Sequence, residues 1–295
     1  MNRSRRRLAL SRRTTLKAAA VTAASASLLT AGAVTGSAVE STPRAERSSL
    51  NYVALGDSYA SGMGLGSPTN ADCNRSSRAY PVKLKELANT TSFKNVTCSG
   101  ATTRSLWNTE GSQPPQINAL SKDTDLVTVT LGGNDVGFAE VMITCALTND
   151  CQNIYKSGGT DQLKDRINKL APRIKSMVTD IKRHSPKAKV MVVGYPKLFP
   201  SSNESHTCSS SYPLSRAEMS YLDGVNVELN RQIAQQTRAA GGEFVDMYTR
   251  FKGHDMCQTL DKRYINPVST DSGSVHPNAA GHKVMAEDTY LNLWF

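Results

Sequence analysis

Ser58 follows Gly56 and Asp57 at the end of a short apolar run, Tyr52-Val53-Ala54-Leu55. That placement delivers a hydroxyl to the carboxyl edge of a buried strand, where open α/β sheets bind ligands. Alone the tripeptide says little, because Gly, Asp and Ser are ordinary turn residues. Three further segments follow in order: Ser99-Gly100-Ala101, Gly132-Gly133-Asn134-Asp135 and Ser274-Val275-His276-Pro277. They add a backbone N–H with no side chain in its way at Gly100, an amide donor at Asn134 and an imidazole at His276. The Ser58 N–H is a third donor. A nucleophile, a base and donors for a developing oxyanion are the parts that acyl transfer from an ester requires.

Five histidines compete for the role of base. His184 ends an amphipathic segment, where a basic residue suits the helix dipole. His206 and His254 lie near Cys208 and Cys257 and read as surface loop residues. His282 falls inside the last helix and reads as a packing or hydrogen-bonding residue. His276 precedes that helix on a loop that can reach over the sheet edge. Asp57 and Asp135 read as braces for their turns. Trp107 suits either an acyl groove near Gly100 or ordinary packing, and Tyr195-Pro196-Lys197-Leu198-Phe199-Pro200 reads as another pocket wall.

These residues need a scaffold in which strand ends converge. Short apolar runs predict strands at Tyr52–Leu55, Asn95–Cys98, Leu126–Leu131, Lys189–Val193 and Glu243–Val245. Between them lie helical patterns. Tyr80, Leu84 and Leu87 share a face. Leu163, Ile167, Leu170, Ile174, Val178 and Ile181 form a long apolar stripe, interrupted by Pro172. A third helix is expected over Ser215–Ala240, ended by Gly241-Gly242, and a last one from Pro277. Strands alternating with helices predict an α/β fold, a parallel five-stranded sheet in a flavodoxin-like three-layer sandwich. The segments 61–78, 144–159, 199–212 and 250–275 fit no regular element and read as functional loops.

Taken in this order, Gly56-Asp57-Ser58, Gly100, Gly132-Gly133-Asn134-Asp135 and His276-Pro277-Asn278-Ala279-Ala280-Gly281-His282 are similar to the motifs of SGNH (GDSL-type) hydrolases, in particular the secreted actinobacterial lipases and esterases. The resemblance runs from Tyr52 to the C-terminus. It implies the SGNH three-layer sandwich, Ser58 as nucleophile, His276 as general base and acid, and an oxyanion hole of Ser58, Gly100 and Asn134. It also implies sequential disulfides, Cys73–Cys98, Cys145–Cys151 and Cys208–Cys257. Many such relatives carry an aspartate three residues before the histidine, where this chain has Gly273. A dyad is therefore expected, with the Gly273 carbonyl orienting His276 and Asp271 as the alternative acid. No cofactor and no metal are called for, and a monomer is expected.

Composition sets the remaining bounds. Residues 1–38 carry Arg3, Arg5, Arg6, Arg7, Arg12, Arg13 and Lys17, no acidic residue, and a segment rich in Ala, Val and Leu. This reads as an export signal, with Ser11-Arg12-Arg13-Thr14-Thr15-Leu16-Lys17 resembling a twin-arginine motif. Residues 39–50 read as a flexible leader and 51–295 as a single hydrolase domain. Removing the seven signal charges from the formal +10 leaves +3, too mild for a nucleic-acid partner. No later segment is apolar enough to anchor the mature chain in a membrane. Six cysteines in an exported chain favour disulfides and an extracellular location. The loops hold Met63, Leu65, Trp107, Met142 and Phe199, whereas the chain has only two tryptophans to form sugar platforms. That balance favours acyl lipids. The alternatives are a polysaccharide or small-ester deacetylase, a phospholipase or acyltransferase, and a secreted binding protein without turnover.

Overall fold

A computed structural model describes residues 50–201, 208 and 212–294. Residues 1–49, read as the export signal and most of the leader, lie outside the described residues, as does His206. The sheet is built from β1 (Asn51–Gly56), β2 (Ser92–Asn95), β3 (Leu126–Thr130), β4 (Lys189–Val193) and β5 (Glu243–Val245). All pairings are parallel and the spatial order is β2-β1-β3-β4-β5. This is the flavodoxin-like order, whose chain reversal at β1 and β3 opens a crevice at the carboxyl ends of those strands.

Nine α-helical segments surround the sheet among the described residues: α1 (Ser58–Ser61), α2 (Tyr80–Leu87), α3 (Gly133–Val136), α4 (Phe138–Thr148), α5 (Cys151–Lys156), α6 (Gln162–His184), α7 (Arg216–Ala239), α8 (Met247–Arg250) and α9 (Ala279–Leu293). Helices α2 and α9 pack together in one layer, and α6 and α7 in the other. The central strand β3 is buried at every position. Its two threonines are satisfied there, Thr128 by the Tyr52 hydroxyl (2.6 Å) and Thr130 by the Tyr80 hydroxyl (3.1 Å).

Helix α6 follows from its sequence. Asp161 caps it by accepting from the N–H groups of Leu163 and Lys164, and Lys182, Arg183 and His184 close its last turn. Its stripe of Leu163, Ile167, Leu170, Ile174, Met177, Val178 and Ile181 is buried, each side chain contributing about 1.5–3 kcal/mol. The helix runs on through Pro172. The stripe also supports the site: a methyl group placed on Gly132 would come within 3.1 Å of Leu170.

Three boundaries differ from expectation. The second strand is Ser92–Asn95, because it is an edge strand that alternates between exposed and half-buried positions instead of forming a continuous apolar run. Val96 and Cys98 still donate to Ala54 and Gly56, which carries the chain along β1 as far as Gly100. The last helix starts at Ala279, capped by Asn278, which accepts from the Gly281 N–H; Pro277 instead pairs with Ile265. The segment 144–159 is mostly helical, forming the end of α4 and all of α5, which the Cys145–Cys151 disulfide staples together.

His282 ties α9 to α2. It is fully buried, and its Nδ1 accepts from the Tyr80 N–H at 3.0 Å. Burial, reinforced by His276 and Lys83, lowers its pKa to about 3. The folded state therefore holds it neutral, a contribution complete above the ordinary value near 6.5 and lost as pH falls from there toward 3. Thermal unfolding of His282→Asn checks this. The variant should melt about 4–8 °C lower at pH 7.5, with the gap narrowing as pH falls to 4.

Candidate active site

The turn that carries Ser58 begins where β1 and β3 touch. A methyl group on Gly56 would lie 2.7 Å from the Ala60 side chain and 2.9 Å from the Thr130 carbonyl, so no larger residue fits. Asp57 then donates its N–H to Thr130 O (2.9 Å), and its carboxylate caps α1 by accepting from the Tyr59 N–H at 2.9 Å. Ser58 is the first residue of that helix and is 8% exposed.

His276 Nε2 lies 2.8 Å from Ser58 Oγ, and His276 Nδ1 lies 2.7 Å from the Ser274 carbonyl. A carbonyl only accepts, so Nδ1 carries the proton and Nε2 is left to receive the serine's. Burial lowers the His276 pKa, and the bond to Ser274 offsets this in part. The imidazole is therefore neutral at physiological pH.

Gly100 and Asn134 border the same cavity as Ser58 and His276. Gly100 has φ +85°, a conformation that favours glycine, and a side chain there would point into open space. The Asn134 amide donates to the Ala101 carbonyl at 2.9 Å. This fixes the rotamer and leaves its second N–H available. Asp135 holds the adjoining loop by accepting from the Thr103 N–H (2.8 Å) and hydroxyl (2.6 Å), with Arg173 at 3.6 Å. The Cys73–Cys98 disulfide anchors the same loop two residues before Gly100.

The orienting carbonyl belongs to Ser274, not Gly273, and Asp271 is no member of the constellation. Gly273 O accepts from the Asn266 amide (3.1 Å) and from the His276 N–H (3.2 Å). A side chain at position 273 would press within 3.1 Å of both Asn266 Nδ2 and Gly64 Cα, so those neighbours would have to give way to admit one. Asp271 sits on the exposed rim, where its carboxylate accepts from the Ser269 hydroxyl and its carbonyl from the Ser274 N–H.

The cavity measures about 380 Å³, and its apolar walls come from Met63, Phe138, Met142, Ile143, Leu198 and Leu229. Of the Tyr195–Pro200 segment, Tyr195 and Leu198 line it, while Lys197 turns away into a buried pair with Asp223 (3.2 Å). Trp107 does not line it; its indole N–H donates to Asp180 (2.9 Å) and braces α6. The sequence reading places Met142 in a loop; it lies on helix α4, whose Phe138, Val141, Met142 and Cys145 carry a helical spacing. His184 and His254 bond the carbonyls of Asp180 and Lys262 away from this cavity. The disulfides are Cys73–Cys98, Cys145–Cys151 and Cys208–Cys257.

The sequence profile of the GDSL-like lipase/acylhydrolase family matches residues 54–284. Lipase 2 of Streptomyces coelicolor is 31% identical over 274 residues, which span 87% of this chain and 90% of that protein. Among solved structures, phospholipase A1 from Streptomyces albidoflavus superposes with a TM-score of 0.68 at 31% identity, over 83% of this chain and 99% of its own. An extracellular lipase from Streptomyces rimosus superposes with a TM-score of 0.67 at 29% identity, over the same shares.

Two outcomes follow for labelling by a fluorophosphonate, followed by mass spectrometry. Asp271→Asn should react at a rate within about threefold of the parent, because no triad carboxylate is lost; a loss of hundreds-fold would restore Asp271 as the acid. The rate should rise with pH as His276 loses its proton, with a midpoint below 6.5, since burial favours the neutral ring. A midpoint above 6.5 would contradict the burial argument.

Proposed function

The chain belongs to the GDSL-like lipase/acylhydrolase family and is an ester hydrolase, and we propose that it cleaves acyl lipids outside the cell through a Ser58 acyl-enzyme. The observation that carries the mechanism is the hydrogen-bonded line from Ser58 Oγ through the His276 ring to the Ser274 carbonyl. His276 takes the proton as Ser58 attacks the ester carbonyl. The N–H groups of Ser58, Gly100 and Asn134 receive the oxyanion, each donor being worth about 3–4 kcal/mol at the transition state. His276 then gives the proton to the departing alcohol. In the second half it activates a water, which releases the acid and restores Ser58.

The apolar wall of α4 supports lipid acyl chains as substrates. Phe138, Met142 and Ile143 form one side of the cavity, and the apolar surface continues outward at Ile143 and Leu147, which are 61% and 80% exposed. Three disulfides support an oxidising compartment. The basic, acid-free segment 1–38 supports export by the twin-arginine route, and the extracellular lipase of S. rimosus supports the same destination. No helix of the described residues is long and apolar enough to cross a membrane.

Hydrolysis of nitrophenyl esters from acetate to palmitate, with Ser58→Ala as control, tests this reading. The rate should be abolished in Ser58→Ala and rise with chain length. Met142→Trp should cut the long-chain rates at least about tenfold and leave acetate within about twofold. A rate confined to acetate would make the protein a small-ester deacetylase. Hydrolysis that persists in Ser58→Ala would remove Ser58 from the mechanism.

A further inference from the structure

Five non-glycine residues among those described have positive φ: Ser67, Asn74, Asn89, Asn149 and Val275. Asparagine tolerates the left-handed region, and serine reaches it in turns. A β-branched valine is a genuine outlier there, and such residues persist only where their surroundings hold them. Val275, with φ +62°, lies directly between Ser274 and His276. Its left-handed turn folds the Ser274 carbonyl back onto the Nδ1 of a ring only two residues later.

The restraint comes from the other side of the site. Tyr59, the residue after the nucleophile, donates its hydroxyl to the Val275 carbonyl at 2.7 Å. Its ring lies 4.9 Å from the His276 ring, tilted by 39°, and meets Tyr195 edge-on at 5.3 Å. Tyr59 and Val275 are both 8% exposed, so water offers the Val275 carbonyl little replacement. We propose that Tyr59 is a positioning residue for the reaction: its hydroxyl tethers Val275 in the left-handed turn that aims His276 at Ser58. Without the tether, the valine relaxes toward its preferred backbone and carries the imidazole away. This rests on the reading of Ser58 and His276 as nucleophile and base.

That logic predicts an unusual rescue. Tyr59→Phe keeps the ring and its contacts but removes the donor. It should lower kcat on a soluble nitrophenyl butyrate by about tenfold to a hundredfold, the loss expected when a reacting group drifts by a fraction of an ångström to one ångström, with KM within about twofold. Val275→Gly alone should stay within about threefold of the parent, because glycine adopts the turn unaided. The double variant Tyr59→Phe/Val275→Gly should recover to within about threefold of Val275→Gly. Val275→Asn, also tolerant of the turn, gives a second rescue if the glycine variant folds poorly. A hydroxyl that serves only packing would leave the loss uncorrected by either substitution. Full activity in Tyr59→Phe, or a loss that persists in both double variants, overturns the proposal. Hydrolysis retained by Ser58→Ala would instead overturn the underlying site assignment.

Discussion

The site depends on a buried carboxylate. Asp57 is 1% exposed and has no ion-pair partner among the described residues, and burial pushes its pKa up to about 7. Hydrogen bonds keep it tolerable there, and each bond fixes a different part of the site. The Tyr59 N–H donates to one oxygen and starts the helix that presents Ser58. The Tyr195 hydroxyl donates to the other at 2.5 Å, and itself accepts from the Gly133 N–H at 2.7 Å. One acid thus joins the end of β1, the turn after β3 that carries Asn134, and the segment after β4. Three strand ends are brought into register by groups that would each be costly to leave unpaired. The proposed nucleophile Ser58 and the proposed donor Asn134 thus share a frame before substrate arrives, which is what electrostatic preorganisation requires.

The base arm is built on a different principle. A carboxylate behind the imidazole would stabilise the imidazolium by charge; the Ser274 carbonyl does so only by its dipole. What the carbonyl supplies fully is the tautomer, since it cannot accept a proton transfer and leaves Nε2 lone-paired toward Ser58. Burial then lowers the His276 pKa, which maintains the neutral base at the expense of a less stable cation. The close passage of Gly64 against Gly273 crowds any side chain at the position where the motif resemblance would place an acid.

What the sequence disclosed follows the periodicity of its elements. The stripe of α6 and the apolar runs of β1, β3 and β4 were readable because burial on both faces of a parallel sheet leaves few alternatives at those positions. Ser58, Gly100 and Asn134 were readable as strand-end residues for the same reason: once three strands are placed in parallel, their ends must meet. The edge strand β2 was harder, because one exposed face breaks the apolar run. The α4 wall was hidden because it starts straight after Gly137 and runs into the Cys145–Cys151 stretch, signals that suggest a loop. Gly273 was assigned the role of Ser274 because counting residues cannot say which carbonyl faces an imidazole.

That last error locates where sequence patterns stop. The decision between two adjacent carbonyls is made by one backbone dihedral at Val275, a residue whose type argues against the conformation it adopts. No local propensity encodes it. It is imposed by a phenol from a helix that follows β1, more than two hundred residues earlier in the chain, and by the contact between Gly64 and Gly273. Burial, then the charge of Asp57, hold that phenol far above the usual tyrosine range, so it stays protonated and can donate. Local preference and global packing disagree at a single residue beside the base, and packing prevails because its restraints come from elements already fixed by the sheet.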